Sequence, residues 1–386
     1  MNNFNYIYSR EFEKMKFPNH KNENWRYVNL RDLKKILNTS QSTNEVRNVL
    51  KNPNIESDII INDKAIHVRK KISDEISIDV ISPDQIKHIN PDIKNKIGKI
   101  AKIDDFFISE NTNSFDKLIL ISLDGKLDLS VNIDINISKD VNFKNRFFIY
   151  SASKSSSSIQ VNFHNTASVV NSLFEFFIQD DSYVNLICVN NGRMSVDIIN
   201  YWFEIHKNGN LNATFISLGN EKILKNDIRV DLIAKSAKAD IAGLYIPKLN
   251  ALVDYNLKIS HLSKKTLSKQ FFRGILGEYS RASFTGLVKI EEGCNGSKSE
   301  QANNNLLLSD KAFVKSDPQL EIYCDEVECS HGSTIGQFDD DTLFYLCSRG
   351  IPKQQAQKLL LEAFYIDILN RINSPKIKSM VENNLV

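Results

Sequence analysis

Between about residue 117 and residue 335 the apolar residues fall at every second position, and no helical pattern interrupts them. Leu129, Val131, Ile133, Ile135 and Ile137 alternate with Ser130, Asn132, Asp134 and Asn136 without a miss. Ile159, Val161 and Phe163 repeat the pattern, as do Ile228, Val230 and Leu232, and Tyr255, Leu257 and Ile259. Successive side chains of an extended strand point to opposite faces, so each stretch reads as a strand with one buried face. The segments between them carry Asn, Asp, Gly and Ser, which suit turns. A doubly wound sheet needs amphipathic helices between its strands, and none are evident. Sandwich, barrel, propeller and solenoid remain. Turns spaced irregularly, roughly 12–25 residues apart, fit the coils of a solenoid as well as the hairpins of a sandwich. Periodicity leaves those two open.

Helical regions flank this stretch. Near the start, Leu30, Leu33 and Leu37 stand at helical spacing until Asn38, Thr39 and Ser40 break it. Pro53, Pro83 and Pro91 punctuate the chain from there to the β core. After Asp339 the period is helical again. Asp339, Asp340, Asp341 and Thr342 suit a helix N-terminus by capping and dipole. Gly350 ends that helix, and Pro352 opens a second that runs to about Ile372. The second helix carries two apolar stripes, one of Leu360, Ala363 and Phe364, the other of Leu361, Tyr365, Ile368 and Ile372. A surface helix needs only one. Either the helix is buried all round within a small domain, or one stripe docks at home and the other receives a partner. Leu361, Tyr365 and Ile368 are the docking candidates. The chain thus divides into a mixed helical region at 1–116, a β core at 117–337 and a helical region at 338–386.

Composition excludes several functions. Of 386 residues, 41% are apolar, enough for a large core. Lys and Arg number 49 against 47 Asp and Glu, so no basic excess points to nucleic acid. The N-terminal residues lack a signal-like apolar run, and no stretch approaches the roughly 20 apolar residues of a membrane span. A cytoplasmic, soluble protein is expected. The five cysteines are an odd number without a C-x-x-C pair, which argues against a disulfide framework or a zinc ribbon and for reduced thiols. Cys324, Cys329 and His331 fall within eight residues, a weak metal signal by spacing alone. There is no phosphate-binding Gly-rich loop, so the chain should not bind ATP itself. No nucleophile, base and acid come together in the sequence either.

The last third of the chain carries a specific series of motifs. Gln270-Phe-Phe-Arg-Gly-Ile275 comes first, then Ala282-Ser-Phe-Thr-Gly286 and Gln301-Ala-Asn-Asn-Asn305. Pro318-Gln-Leu-Glu-Ile-Tyr323, Cys329-Ser-His-Gly-Ser333 and Ser348-Arg-Gly-Ile351 complete it. This series resembles the SufB/SufD family of iron–sulfur cluster assembly scaffolds, densely over residues 240–372. The Cys-Ser-His-Gly pattern, and Glu23-Asn24-Trp25-Arg26-Tyr27 near the start, are similar to the SufD branch. The resemblance implies a right-handed parallel β-helix between helical regions, which decides for the solenoid. It implies a non-catalytic subunit that pairs with a SufB-like chain through the β-helix end, docks a SufC-like ATPase through its C-terminal helices, and forms a homodimer when alone. It implies a transient iron–sulfur cluster at the SufB interface, and it associates reduced flavin with the assembled complex, although no flavin motif is present here.

Within that frame His331 is the principal candidate. A neutral imidazole is a good ligand for iron, and the sequence places it in a loop between glycine-bearing turns. Its other reading is a hydrogen-bonding group across an interface. Cys329, two residues away, would face the same side of an extended segment and could add a thiolate to a cluster, or pack as a thiol at the interface. Cys324, Cys188, Cys294 and Cys347 read as structural, as do His261 and Arg273. The competing functions are a β-helix carbohydrate-active enzyme, which needs clustered acids, and a self-contained metal protein using Cys324, Cys329 and His331. The one acidic cluster, Asp339–Asp341, is explained by helix capping.

Overall fold

The computed structural model describes residues 15–42, 48–51, 56–69, 73–125, 128–138 and 141–385. Its alternating stretches wind into a parallel β-solenoid of about 8 turns. Each turn gives one strand to each of two facing sheets. Val169–Ile178, Val196–Ile205, Ile223–Leu232, Leu252–His261, Arg281–Ile290 and Phe313–Ile322 are consecutive strands of a 10-stranded sheet. Ser156–Phe163, Tyr183–Asn190, Asn210–Ser217, Lys238–Tyr245, Leu267–Leu276, Ser297–Leu307 and Val327–Gly336 are consecutive strands of the 11-stranded sheet opposite. The register advances by one coil per strand. Val169 stands beside Val196 and Val196 beside Ile223, a step of 27 residues that lengthens to 31 where Ser268 meets Ser299.

The turn between the sheets shows why this sequence can coil. Lys154, Asp181, Asn208, Ser236, Lys265 and Gly296 occupy one corner, all with positive φ. The amide of each donates to a carbonyl of the next coil, as Asp181 does to Lys207 at 2.8 Å and Gly296 to Glu326 at 2.7 Å. Asn and Asp tolerate the left-handed region and Gly has no steric penalty there. A small residue comes directly after every one: Ser155, Ser182, Gly209, Ala237, Thr266 and Ser297. This corner is a repeat that the strand alternation conceals.

Between the sheets the core is aliphatic and aromatic. Phe147, Phe174 and Tyr201 stack on successive coils, with centroids 4.3 and 5.1 Å apart, and Phe176 stacks on Phe203 at 4.5 Å. Offset stacks of this kind add to area burial. Strand Val169–Ile178 is buried at every position, because the N-terminal region covers its outer face. That region is bolted on by charge as well as by packing. Arg146 meets Glu175 at 2.8 Å in the interior, and Glu175 also accepts the amides of Gly98 and Ala101. Trp25 is buried against Phe107, and its Nε1–H donates to Asp105 at 2.6 Å. Lys225 lies over the Trp25 ring and donates to the Asn24 carbonyl and to Asp254, each at 2.6 Å. The motif Glu23–Tyr27 is therefore an anchor. Strand Ile59–Asn62 pairs with Asp128–Asn136, and Ile76–Ile81 with Leu118–Leu123, so both sheets run across the expected boundary at residue 116.

Three C-terminal helices come after the last coil: Asp340–Ser348, Lys353–Leu369 and Pro375–Asn384. The first begins and ends as expected. Asp339 caps it by accepting the amides of Asp341 and Thr342, and Gly350, at φ +87, lies just past its end. The second stops at Leu369 rather than Ile372, and Pro375 opens a third helix that the periodicity did not resolve. Leu361, Tyr365, Ile368 and Leu369 pack with Ile372, Ile377 and Val381 onto the outer face of the 11-stranded sheet, against Ile187, Val189, Ile216, Leu244 and Ile275. This corrects one expectation: Leu361, Tyr365 and Ile368 form the home-facing stripe. The i, i+4, i+7 pattern marks an apolar stripe but does not say what covers it.

Candidate functional site: the open end of the solenoid

The last strand of each sheet has a neighbour on one side only among the described residues. Phe313–Ile322 pairs with Arg281–Ile290, and Val327–Gly336 pairs with Ser297–Leu307. Each therefore presents a row of backbone donors and acceptors along its free edge, a template for another chain. The rim is apolar in places: Phe313 and Tyr323 are each 55% exposed, and Ile322 and Ile335 are exposed as well.

His331 and Cys329 lie on this edge. Both are within strand Val327–Gly336, which corrects the expected loop; an edge strand, without neighbours on one side, needs no apolar run that would announce it. The same-side expectation fits the strand's period. Cys329 packs with Leu320, Cys324 and Val327 against Val288, Ile290 and Cys294. Ser333, four residues on, has its Oγ 2.7 Å from Ser316 Oγ of the opposite sheet. His331 stands between them on the same side and is exposed, with no hydrogen-bond partner for its imidazole among the described residues. Burial pushes the Cys329 thiol up, so it is a protonated thiol that a metal would have to displace the proton from. Among the described residues no three His, Cys, Asp or Glu side chains are grouped to hold a metal ion.

Beneath the edge the interior turns polar, which periodicity did not announce. Gln301, beside His331 in the ladder, donates from Nε2 to Gln270 Oε1 at 2.6 Å. Asn303 donates to Tyr245 Oη at 3.0 Å, and the Tyr245 hydroxyl also donates to Asn305. The signal in the sequence was Gln301, Asn303 and Asn305 at alternating positions of a buried strand face. Two residues read as structural are so. His261 is fully buried with Thr266 and Ser268 hydroxyls 2.7 and 2.9 Å from its ring nitrogens, and burial holds its pKa down to about 4. Arg273 lies between the rings of Phe271 and Phe364 and pairs with Asp367 at 3.0 Å, fastening the long C-terminal helix. Cys188 is a core thiol pushed up to about 12 by burial.

A second surface stands free beside the end. On helix Asp340–Ser348, Phe344 and Tyr345 are exposed, and on helix Lys353–Leu369, Leu359 and Ile366 are each 42% exposed. On the long helix, Leu359 and Ile366 lie away from the buried stripe of Leu361, Tyr365 and Ile368. No helix of the described residues is long and apolar enough to cross a membrane.

Comparison with known proteins bears on both surfaces. Residues 135–364 match the family model described as the SufBD core domain of the SUF system for FeS cluster assembly. The chain is 33% identical over 159 residues to the iron–sulfur cluster assembly protein SufD of Escherichia coli, 41% of this chain and 38% of that protein. It is 28% identical over 213 residues to a SufBD family protein of Mycobacterium tuberculosis, 53% of each. To SufD of Bacillus subtilis it is 30% identical over 128 residues, 33% of this chain and 29% of that one. The matches thus span from under a third to about half of the length of these relatives. With the family model covering more than half of it, and with SufD among its relatives, the chain belongs to the SufB/SufD family of iron–sulfur cluster assembly proteins and is most like SufD.

Proposed function

We propose that this chain is a non-catalytic scaffold subunit of a cytosolic SUF assembly complex. The observation that carries this reading is the open end, where two strand edges, free among the described residues, flank an exposed imidazole that no three-ligand group of the described residues includes. A SufB-like partner would extend both sheets by strand addition, with main-chain hydrogen bonds giving affinity and the exposed Phe313, Tyr323 and Ile335 giving specificity. His331, and Cys329 once deprotonated, would meet donors of that partner, so the nascent cluster is cargo shared between chains and not a resident group. Reduced flavin belongs, on this reading, to the assembled complex. The SufC-like ATPase would dock on the exposed stripe of Phe344, Tyr345, Leu359 and Ile366, since the buried stripe is occupied at home. In the absence of the partner, two copies of the chain would pair through the same edges.

The test is co-expression with a SufB-like chain and a SufC-like ATPase, then purification through a tag on this chain. Retention of both partners supports the reading. Recovery of this chain as a monomer at micromolar concentration, with neither partner, would overturn it.

A further inference from the structure

The sequence sets Cys324 near Cys329 and leaves Cys294 apart, but the coil brings all three into one cluster at the solenoid end. Two of them hold equivalent places. Ser297 is in register with Val327, and Gly296 donates its amide to the Glu326 carbonyl at 2.7 Å, a step of 30 residues. On the other side of the turn Ile290 is in register with Ile322, a step of 32, so the last turn is the shorter by two residues. Counted back from the strands that follow, Cys294 and Cys324 both precede the strand start by the same distance, and both belong to one cluster in the turns of the last two coils. The paired strands that flank these two turns stand about 4.7–4.9 Å apart. That lies inside the roughly 4.4–6.8 Å range of Cα separations across a disulfide. Cys329 is displaced from this pair, since its register partner is Ser299.

The two thiols differ in access. Cys294 is 1% exposed with its Sγ 3.2 Å from the His261 carbonyl, while Cys324 is half-buried in the last turn, with no further coil above it among the described residues. Burial first and the neighbouring Cys324 second push the Cys294 thiol up, so it is the less ready of the two to react first.

We propose that Cys294 and Cys324 are a peroxide-oxidisable pair whose disulfide pins the last coil of the solenoid to the one beneath it. In the first step the Cys324 sulfur attacks hydrogen peroxide. The O–O bond breaks, water leaves, and Cys324 becomes a sulfenic acid. In the second the Cys294 sulfur attacks that sulfur. The S–S bond forms, the S–O bond breaks, and the hydroxyl leaves as water with the Cys294 proton. One peroxide is reduced to two waters while two thiols are oxidised to one disulfide. The reaction depends only on this chain, so it stands or falls apart from the partner assignment.

The full-length reduced chain is treated with one to five equivalents of hydrogen peroxide, alkylated, digested without reduction and mapped by mass spectrometry. The expected product is a peptide pair joined Cys294 to Cys324, two hydrogens lighter than the thiols and cleaved by dithiothreitol. Cys329→Ser should still form it and Cys324→Ser should not. Hydrogen exchange of strand Val327–Gly336 should slow at least several-fold on oxidation. A Cys324–Cys329 bridge, a bridge between two copies, or Cys294 still alkylatable on unfolding would overturn the proposal. So would unchanged exchange of the last strand with the bridge in place. The wild-type mapping needs no variant, so a misfolded mutant cannot hide the answer.

Discussion

Asp197 and Glu221 are buried inside one corner of the solenoid, and neither forms an ion pair among the described residues. Asp197 accepts from Asn165 and Ser195, each at 3.0 Å, and Glu221 from the Gly192 amide at 2.7 Å. Burial pushes Asp197 up to about 7, and burial with the nearby Asp197 pushes Glu221 up to about 8. Because the folded chain holds these protons more tightly than the unfolded one, the associated stability is complete below about pH 4 and is lost as pH rises toward 8. Glu221→Gln should therefore raise the urea midpoint at pH 8.5 and change it little at pH 4.5. A loss at both pH values would show that the carboxylate is stabilising. At His331 the expectation concerns cargo. His331→Ala should leave assembly with the SufB-like chain intact and lower cluster yield, read as acid-labile sulfide, by at least several-fold. If instead assembly weakens by the roughly 1–3 kcal/mol of a lost buried hydrogen bond, the imidazole is an interface group.

Among the elements, the long C-terminal helix separates two roles that one sequence pattern merged. Ile368 is fully buried on the home face, so Ile368→Ala should destabilise the chain by about 2–5 kcal/mol in chemical denaturation. Phe344→Asp with Ile366→Asp, on the outer face, should leave the denaturation midpoint within about 0.5 kcal/mol, as surface changes do. The same pair of changes should abolish retention of the ATPase. Retention unchanged would remove the outer face as the docking surface. The strands Asp128–Asn136 and Ser156–Phe163 were legible because they expose one face to water. Val169–Ile178 was not, because burial on both faces removes the alternation. His331 lies in an edge strand and not in the expected loop, because a strand with one neighbour needs no apolar run. The relation of Cys294 to Cys324 was invisible, since a coil of 30 residues makes neighbours of positions that no local pattern links.

For the whole molecule, parallel pairing and a coil of 27 to 32 residues make every turn depend on its neighbours, as in other solenoids. The N-terminal region is fastened to the outer face of the 10-stranded sheet by the Trp25 anchor and the buried Arg146–Glu175 pair, while the C-terminal end of the stack is left open around His331. That arrangement is legible only in three dimensions, and the open end is the surface proposed for pairing. Hydrogen exchange on this chain alone and in complex with a SufB-like chain addresses it most directly. Pairing through the open end requires new protection in Phe313–Ile322 and Val327–Gly336, with the Trp25 region unchanged. Protection confined to the outer faces of the sheets, with both edge strands still exchanging as in the free chain, would contradict it.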